Sequence, residues 1–203
     1  MAIVEHRYEF PDRFVAGTVG EPGDRTFFLQ ARQGNRLTSV TCEKQQVEVL
    51  AEHLDRVLGE IGRLSEGMVS VPPEREVAHD NEPLDAPIEE EFRVGTMTIA
   101  WDPAGQRIVI EMFAVTDDDL EIDEDEVNGE GIAESAESLA RSEADRAGEV
   151  FSVGIKPLAA RDFVARAKAV VAAGRPACPF CMQPIDPDGH ICPRANGYRR
   201  PLF

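Results

Sequence analysis

Three of the chain's four cysteines and one of its four histidines stand close together near the C-terminus, in CPFCMQPIDPDGHIC, from Cys178 to Cys192. Thiolate sulfur and imidazole nitrogen are the donors that zinc gathers into a tetrahedron. Cys178 and Cys181 are spaced C-x2-C, so one tight turn can aim both sulfurs at a point. His190 and Cys192, one residue apart, form a second pair. Between the pairs lie the turn-formers Pro184, Asp186, Pro187, Asp188 and Gly189. The pattern C-x2-C-x8-H-x-C therefore predicts two short ligand turns stapled by one structural zinc on Cys178, Cys181, His190 and Cys192. The 26 residues from Cys178 to the end are too few to bury a core, so bound metal would supply their stability.

Other chemistries stay open for the same residues. CPFC has the composition of a redox pair, but such pairs usually open a helix after a strand, where the helix dipole lowers the thiol pKa. Here the pair precedes turn residues. Unligated thiols are the plainest alternative. Catalytic zinc fits less well, because four protein ligands leave no open position for water. An iron–sulfur cluster would usually need four cysteines, and the fourth, Cys42, is distant and reads as a packed residue at a strand end.

The segment that follows, PRANGYRRPLF, carries three arginines and no acid. Arg194, Arg199 and Arg200 can dock on an acidic body, or serve as ligands for a phosphate, a nucleotide or RNA. Elsewhere charge argues against nucleic acid and anionic lipid. Of the chain's net −17, −12 falls in residues 117–149, which hold 14 Asp or Glu and two Arg and leave −5 for the rest. An acidic surface repels phosphate backbones. That stretch reads as a disordered acidic insert near 117–148, tuning solubility or tethering a basic partner. DDDLEIDEDEVNGEG lacks the frame of a calcium loop.

No apolar run is long enough for a transmembrane helix, and MAIVEHRYEF has charges where a signal peptide needs an apolar centre. A cytoplasmic protein without disulfides is expected. No nucleophile elbow, dinucleotide fingerprint, P-loop, zincin or kinase motif is present, so no catalytic residues are assigned. His6, His53 and His79 are scattered. Glu43, Lys44 and Gln45 open a helix, where anions can bind, and read equally as a solvated first turn.

The elements that must carry these residues are legible from periodicity. RYEF, RFVAGTVG and TFFLQARQGNRLTSVTC predict strands, with EPGD (Glu21 to Asp24) as a turn and Thr26–Arg32 pairing with Arg36–Thr41 in a hairpin. Val47, Leu50, Ala51, Leu54, Val57, Leu58 and Ile61 mark one face of a helix. Thr41 is its expected N-cap, and Gly62 or Gly67 its stop. Residues 65–91 predict a loop. EFRVGTMTIAWD and RIVIEMFAV predict a second hairpin about PAGQ, and EVFSVGIKP another strand. A second helix follows, with Ala160, Phe163, Val164, Ala167, Val170 and Val171 on one face, Pro157 in its first turn and Gly174 as its stop.

Strands grouped in hairpins, with helices after the groups, give an α+β fold: a mainly antiparallel sheet, two helices on one face and a zinc-knuckle-like tail. The domain is expected over residues 1–174 and the knuckle and basic tail over 175–203. Two strands-then-helix halves leave a degenerate duplication open, but no residue-level repeat supports one.

YEFPDRFVAGTVGEPGDRTFFLQA, EKQQV and AAGRPACPFCMQPIDPDGHICPRANGYRR together resemble an actinobacterial family, domain of unknown function 3090. Its members end in a CPxC…P-x-GH-x-CPR-NGY pattern. By that resemblance Cys178, Cys181, His190 and Cys192 are the cysteine and histidine positions, followed by Arg194, Asn196, Gly197 and Tyr198. Where the family often has Gly after the second cysteine, this chain has Met182. The resemblance implies an actinobacterial cytosol and a gene neighbourhood with a phosphatidylinositol-kinase-like protein and a phosphoglycerate-mutase-like phosphatase. It implies no activity. The leading expectation is a non-enzymatic, zinc-stapled binding or adaptor protein with a protein partner. The alternatives are a phosphometabolite-binding enzyme or sensor using Arg194, Arg199 and Arg200, and an RNA-binding zinc knuckle.

Overall fold

The computed structural model describes residues 3–65, 69–73, 80–116, 146–174, 178–182, 185, 192 and 194. Seven strands and two helices follow in chain order: β1 (Val4–Glu9), β2 (Arg13–Val19), β3 (Thr26–Gln33), β4 (Arg36–Cys42), α1 (Lys44–Leu64), β5 (Glu90–Asp102), β6 (Arg107–Ala114), β7 (Glu149–Ile155) and α2 (Pro157–Ala172). They form one mixed sheet in the order β1-β7-β6-β5-β4-β3-β2. Four pairings are antiparallel, as the hairpin pattern predicts. β1 with β7 and β4 with β5 are parallel. Hairpin signals are local, whereas a parallel pair joins segments distant in sequence and leaves no turn signature.

The two ends of this order are joined by only three residues, Phe10 to Asp12. So short a link brings the edges together, and the sheet must roll. Side chains tie the seam. Tyr8 donates its hydroxyl to Thr38 at 2.9 Å, Arg36 donates to the Arg7 carbonyl at 3.0 Å and Gln33 to the Glu9 carbonyl at 2.9 Å.

The two halves share one plan. In each, a first strand is broken in two, two more strands complete a meander, and a helix follows. In the first half the break is the link between β1 and β2. In the second it is the irregularity between Val94 and Met97 inside β5. The leading piece of each broken strand pairs in parallel with the last strand of the other half: β1 with β7, and the start of β5 with β4. The duplication that sequence left open is thus present in topology. Where the first half closes β3 to β4 with Gly34 at φ +58° and Asn35, the second places the acidic stretch between β6 and β7. Most of that stretch, with the disorder expected of it, lies outside the described residues.

Alternation in the strands and the stripe on α1 converge on one core. Leu54, Leu58, Ile108, Ile110, Phe151 and Phe163 are fully buried in it. Phe14 stacks on Phe163 with ring centroids 4.7 Å apart and meets Phe151 edge-on at 6.4 Å. Between the helices, Asp55 of α1 receives Lys168 of α2 at 2.8 Å and also pairs with Arg161.

Helix ends differ from expectation. Thr41 lies inside β4, and Glu43 is the N-cap of α1. Glu43 and Gln46 form a capping box, which satisfies two orphan amides reciprocally. Gly62 lies inside α1, which ends at Leu64 with Ser65 as cap, and Gly67 lies outside the described residues. By contrast, α2 ends at Ala172 with Ala173 as cap, and Gly174 follows at the C′ position, as predicted. Pro157 opens α2 as predicted. Within residues 65–89 the described parts hold neither helix nor strand.

The second half of that linker is strapped to β2. The Arg13 guanidinium donates to Asp80 at 2.7 and 3.0 Å, to Asp85 at 2.9 Å and to the carbonyls of Glu82 and Pro83 at 2.9 Å. Arg166 of α2 is buried. It donates to the Ala16 carbonyl at 2.7 Å and to Asp80 at 2.6 and 2.9 Å. Leu84 lies over Gly17, where a β-carbon would sit 2.6 Å from the leucine side chain. Only glycine lets the strap approach so closely.

Candidate metal centre

The C-terminal cluster begins where α2 ends. Arg25, in the turn before β3, donates to the Ala173 carbonyl at 3.1 Å and fixes the direction in which the chain leaves the helix. Cys178 to Met182 then make a tight turn, closed by the Met182 amide donating to the Cys178 carbonyl at 2.8 Å. Met182 has φ +63°. That left-handed conformation favours glycine, so Met182 stands at a position that glycine would adopt more freely.

The turn and the returning chain bring three sulfurs together. The thiols of Cys178, Cys181 and Cys192 all lie within 4.8 Å of one another, and those of Cys178 and Cys192 are 3.8 Å apart. All are free thiols, and a disulfide would need about 2.05 Å. Four sulfurs at 2.3 Å from a tetrahedral ion stand about 3.75 Å apart. The Cys178–Cys192 separation matches that edge, so the three cysteines can bind a metal ion. Cys178 and Cys192 are buried, and Cys181 is partly exposed.

Local electrostatics favour the thiolate. The Cys178 thiol is lowered to about 7, first by the Cys181 amide; burial opposes this, and the Phe180 amide and the other two thiols add to it. Backbone N–H groups aimed at sulfur stabilise its anion, the form that ligates metal. Cys42 behaves oppositely. It is buried at the end of β4, and burial, with Glu43 beside it, pushes its thiol up to about 12. It takes no part in the cluster and packs in the core, as predicted.

Of the other predicted site residues, Arg194 is exposed and donates to the Phe180 carbonyl at 3.1 Å. It thereby ties the returning chain to the first turn. His190, Arg199 and Arg200 lie outside the described residues, so the fourth ligand and the rest of the basic tail are not placed.

A family model described as protein of unknown function (DUF3090) matches residues 6–192, from β1 through the last cysteine. The chain belongs to this family. No curated protein and no solved structure matches it. The family match spans both halves of the rolled sheet and all three clustered cysteines.

Sequence reasoning passed over two features. Phe180 and Met182 project from the cysteine turn, 62% and 71% exposed. An apolar residue within a ligand turn is the only signal for this. The second is a pair of clefts beside α1, lined in part by Val49, His53 and Leu64. Val49 and Leu64 fall off the core stripe of α1, and apolar residues off that stripe were the signal available. No helix among the described residues is long and apolar enough to cross a membrane.

Proposed function

We propose that this protein is a non-enzymatic binding or adaptor protein of the cytoplasm whose C-terminal segment is stapled by one structural zinc. The observation that carries this reading is the convergence of three thiols in a segment where the described residues form no helix or strand. The separation of 3.8 Å fits an edge of a thiolate tetrahedron, and a cysteine-rich set selects zinc among the common divalent ions. His190 is proposed as the fourth ligand from its spacing to Cys192. When bound, zinc would supply the folding energy of the segment. Cys178 and Cys192 would hold it from the buried side and Cys181 from the solvent side. Phe180 and Met182 would then stand on a rigid turn as apolar contacts for a protein partner.

Elemental analysis of the purified, untagged chain tests this. One zinc per chain is expected, lost in Cys178→Ser and weakened in His190→Ala. A chain without metal, whose Cys178 and Cys181 oxidise readily as a pair, would overturn the staple. It would then favour a redox reading, to which the lowered Cys178 thiol also lends itself.

A further inference from the structure

Two clefts of about 460 and 490 Å³ lie end to end between α1 and the second half of β5, with Ile99 a wall of both. Their floor is apolar: Leu50, Ile61, Met97, Ile99 and Trp101. Val49 is 53% exposed and Leu64 81% exposed along the α1 rim. One flank of the clefts is a strand edge that is unpaired among the described residues. Residues Met97 to Asp102 pair with β6 on one side. On the other side pairing with β4 stops at Arg93. Gln46 covers only the Val94 and Gly95 carbonyls, at 3.2 and 2.8 Å. Among the described residues, no backbone or side chain takes up the outward backbone groups of Met97 to Asp102. Such groups are a template for another strand.

The other half of the molecule shows what the equivalent place holds. Arg166 and His53 are each the tenth residue of their helices. Ala16 and Ala100 are each the fourth residue past the break in the first strand. Arg166 reaches the Ala16 carbonyl, and the extended segment Asp80–Asp85 lies beside β2, gripped by Arg13 and Arg166. In the second half His53 bonds Arg56 instead, and Met97 stands where Arg13 would. The basic anchors that held an acidic strap are gone. Among the described residues, those lining the clefts include Glu60 and Glu43, the latter paired with Arg93, and no Lys or Arg.

We propose that this groove takes an extended peptide strand from a partner protein, added to the free edge of β5. Alternate apolar side chains of that strand enter the clefts, and basic residues flank them. The backbone supplies affinity, and the clefts and the acidic rim supply selection. This goes beyond the metal reading and does not depend on it.

The test uses the full chain and a fluorescent, end-capped heptapeptide, Lys-Val-Thr-Val-Thr-Val-Lys, followed by anisotropy. Saturable binding is expected, with slowed amide exchange in residues 97–102. Binding should weaken at least tenfold with Val49→Lys, at a position exposed enough to leave folding intact. A similar loss is expected when alternate amides of the peptide are N-methylated, and with Glu in place of both Lys. Cys178→Ser should bind like the wild type. The proposal is overturned by an absence of binding at millimolar peptide, or by indifference to N-methylation or to Val49→Lys. A dimer dissolved by Val49→Lys would also overturn it, since a second copy would then hold the edge. So would binding lost only in Cys178→Ser, which would put the peptide at the cysteine turn.

Discussion

Met182 shows how much one side chain can cost a ligand turn. Its φ of +63° is a conformation that a residue with a β-carbon adopts at about 1 kcal/mol, and that glycine adopts freely. Its side chain is largely solvent-exposed, so little packing offsets that cost. Met182→Gly is therefore expected to tighten metal binding about fivefold, the equivalent of ~1 kcal/mol, measured by competition with a chromogenic chelator. Unchanged or weaker affinity would mean that the turn leaves the left-handed region when metal is bound. The contrast between Cys178 and Cys42 belongs to the same scale. Both are buried, but amides point at one sulfur and not at the other, and their thiols move in opposite directions.

Among the elements, the strap from Asp80 to Asp85 has the most consequence. It has no helix or strand of its own, and two arginines from separate elements hold it. The hydrogen bond from Arg13 is the largest influence holding the Asp80 carboxyl below its usual range; burial opposes it, and the Glu82 amide and the charges of Arg13 and Arg166 reinforce it. A depressed carboxylate pKa stabilises the fold above the unfolded-state value and loses that contribution as pH falls through the folded-state value. The strap should hold from neutral pH down to pH ~4 and loosen below it. Amide exchange across residues 80–88, corrected for intrinsic rates, should rise there before the core strands open. In Arg166→Met the same rise is expected at neutral pH. Exchange that is flat to pH 2 would show that the strap is held by Leu84 on Gly17 and by the Gln30 side chain on the Asp85 backbone rather than by charge.

For the whole molecule, the expectation is that the body and the cysteine cluster are energetically separate. The core is drawn from the rolled sheet and the two helices, and neither Cys178 nor Cys192 belongs to it, although both are buried. A chain ended after Gly174 is therefore expected to melt cooperatively within about 3 °C of the full chain, the shift that about 1 kcal/mol would cause in a domain of this size. Calorimetry of the two chains measures this. A large fall in the midpoint would mean that the tail completes the core. The reciprocal pairing of β1 with β7 and β5 with β4 makes the two halves interdependent, so one transition is expected.

Most of the elements could be read from the chain alone, because hairpins, amphipathic stripes and turn residues are local signals. The period of α1, the turn at Gly34 and Asn35, the Pro157 start of α2 and the convergence of Cys178, Cys181 and Cys192 were all legible from spacing. Helix ends were less so: the Glu43–Gln46 box outcompeted Thr41, which the sheet had already taken. The parallel pairs, the rolled seam and the internal two-fold plan emerged only in three dimensions. Those depend on contacts between segments far apart in the chain, and such contacts leave no periodic trace. The edge of β5 past Arg93, unpaired among the described residues, was invisible for the same reason. A strand reads alike whether or not a neighbour lies beside it.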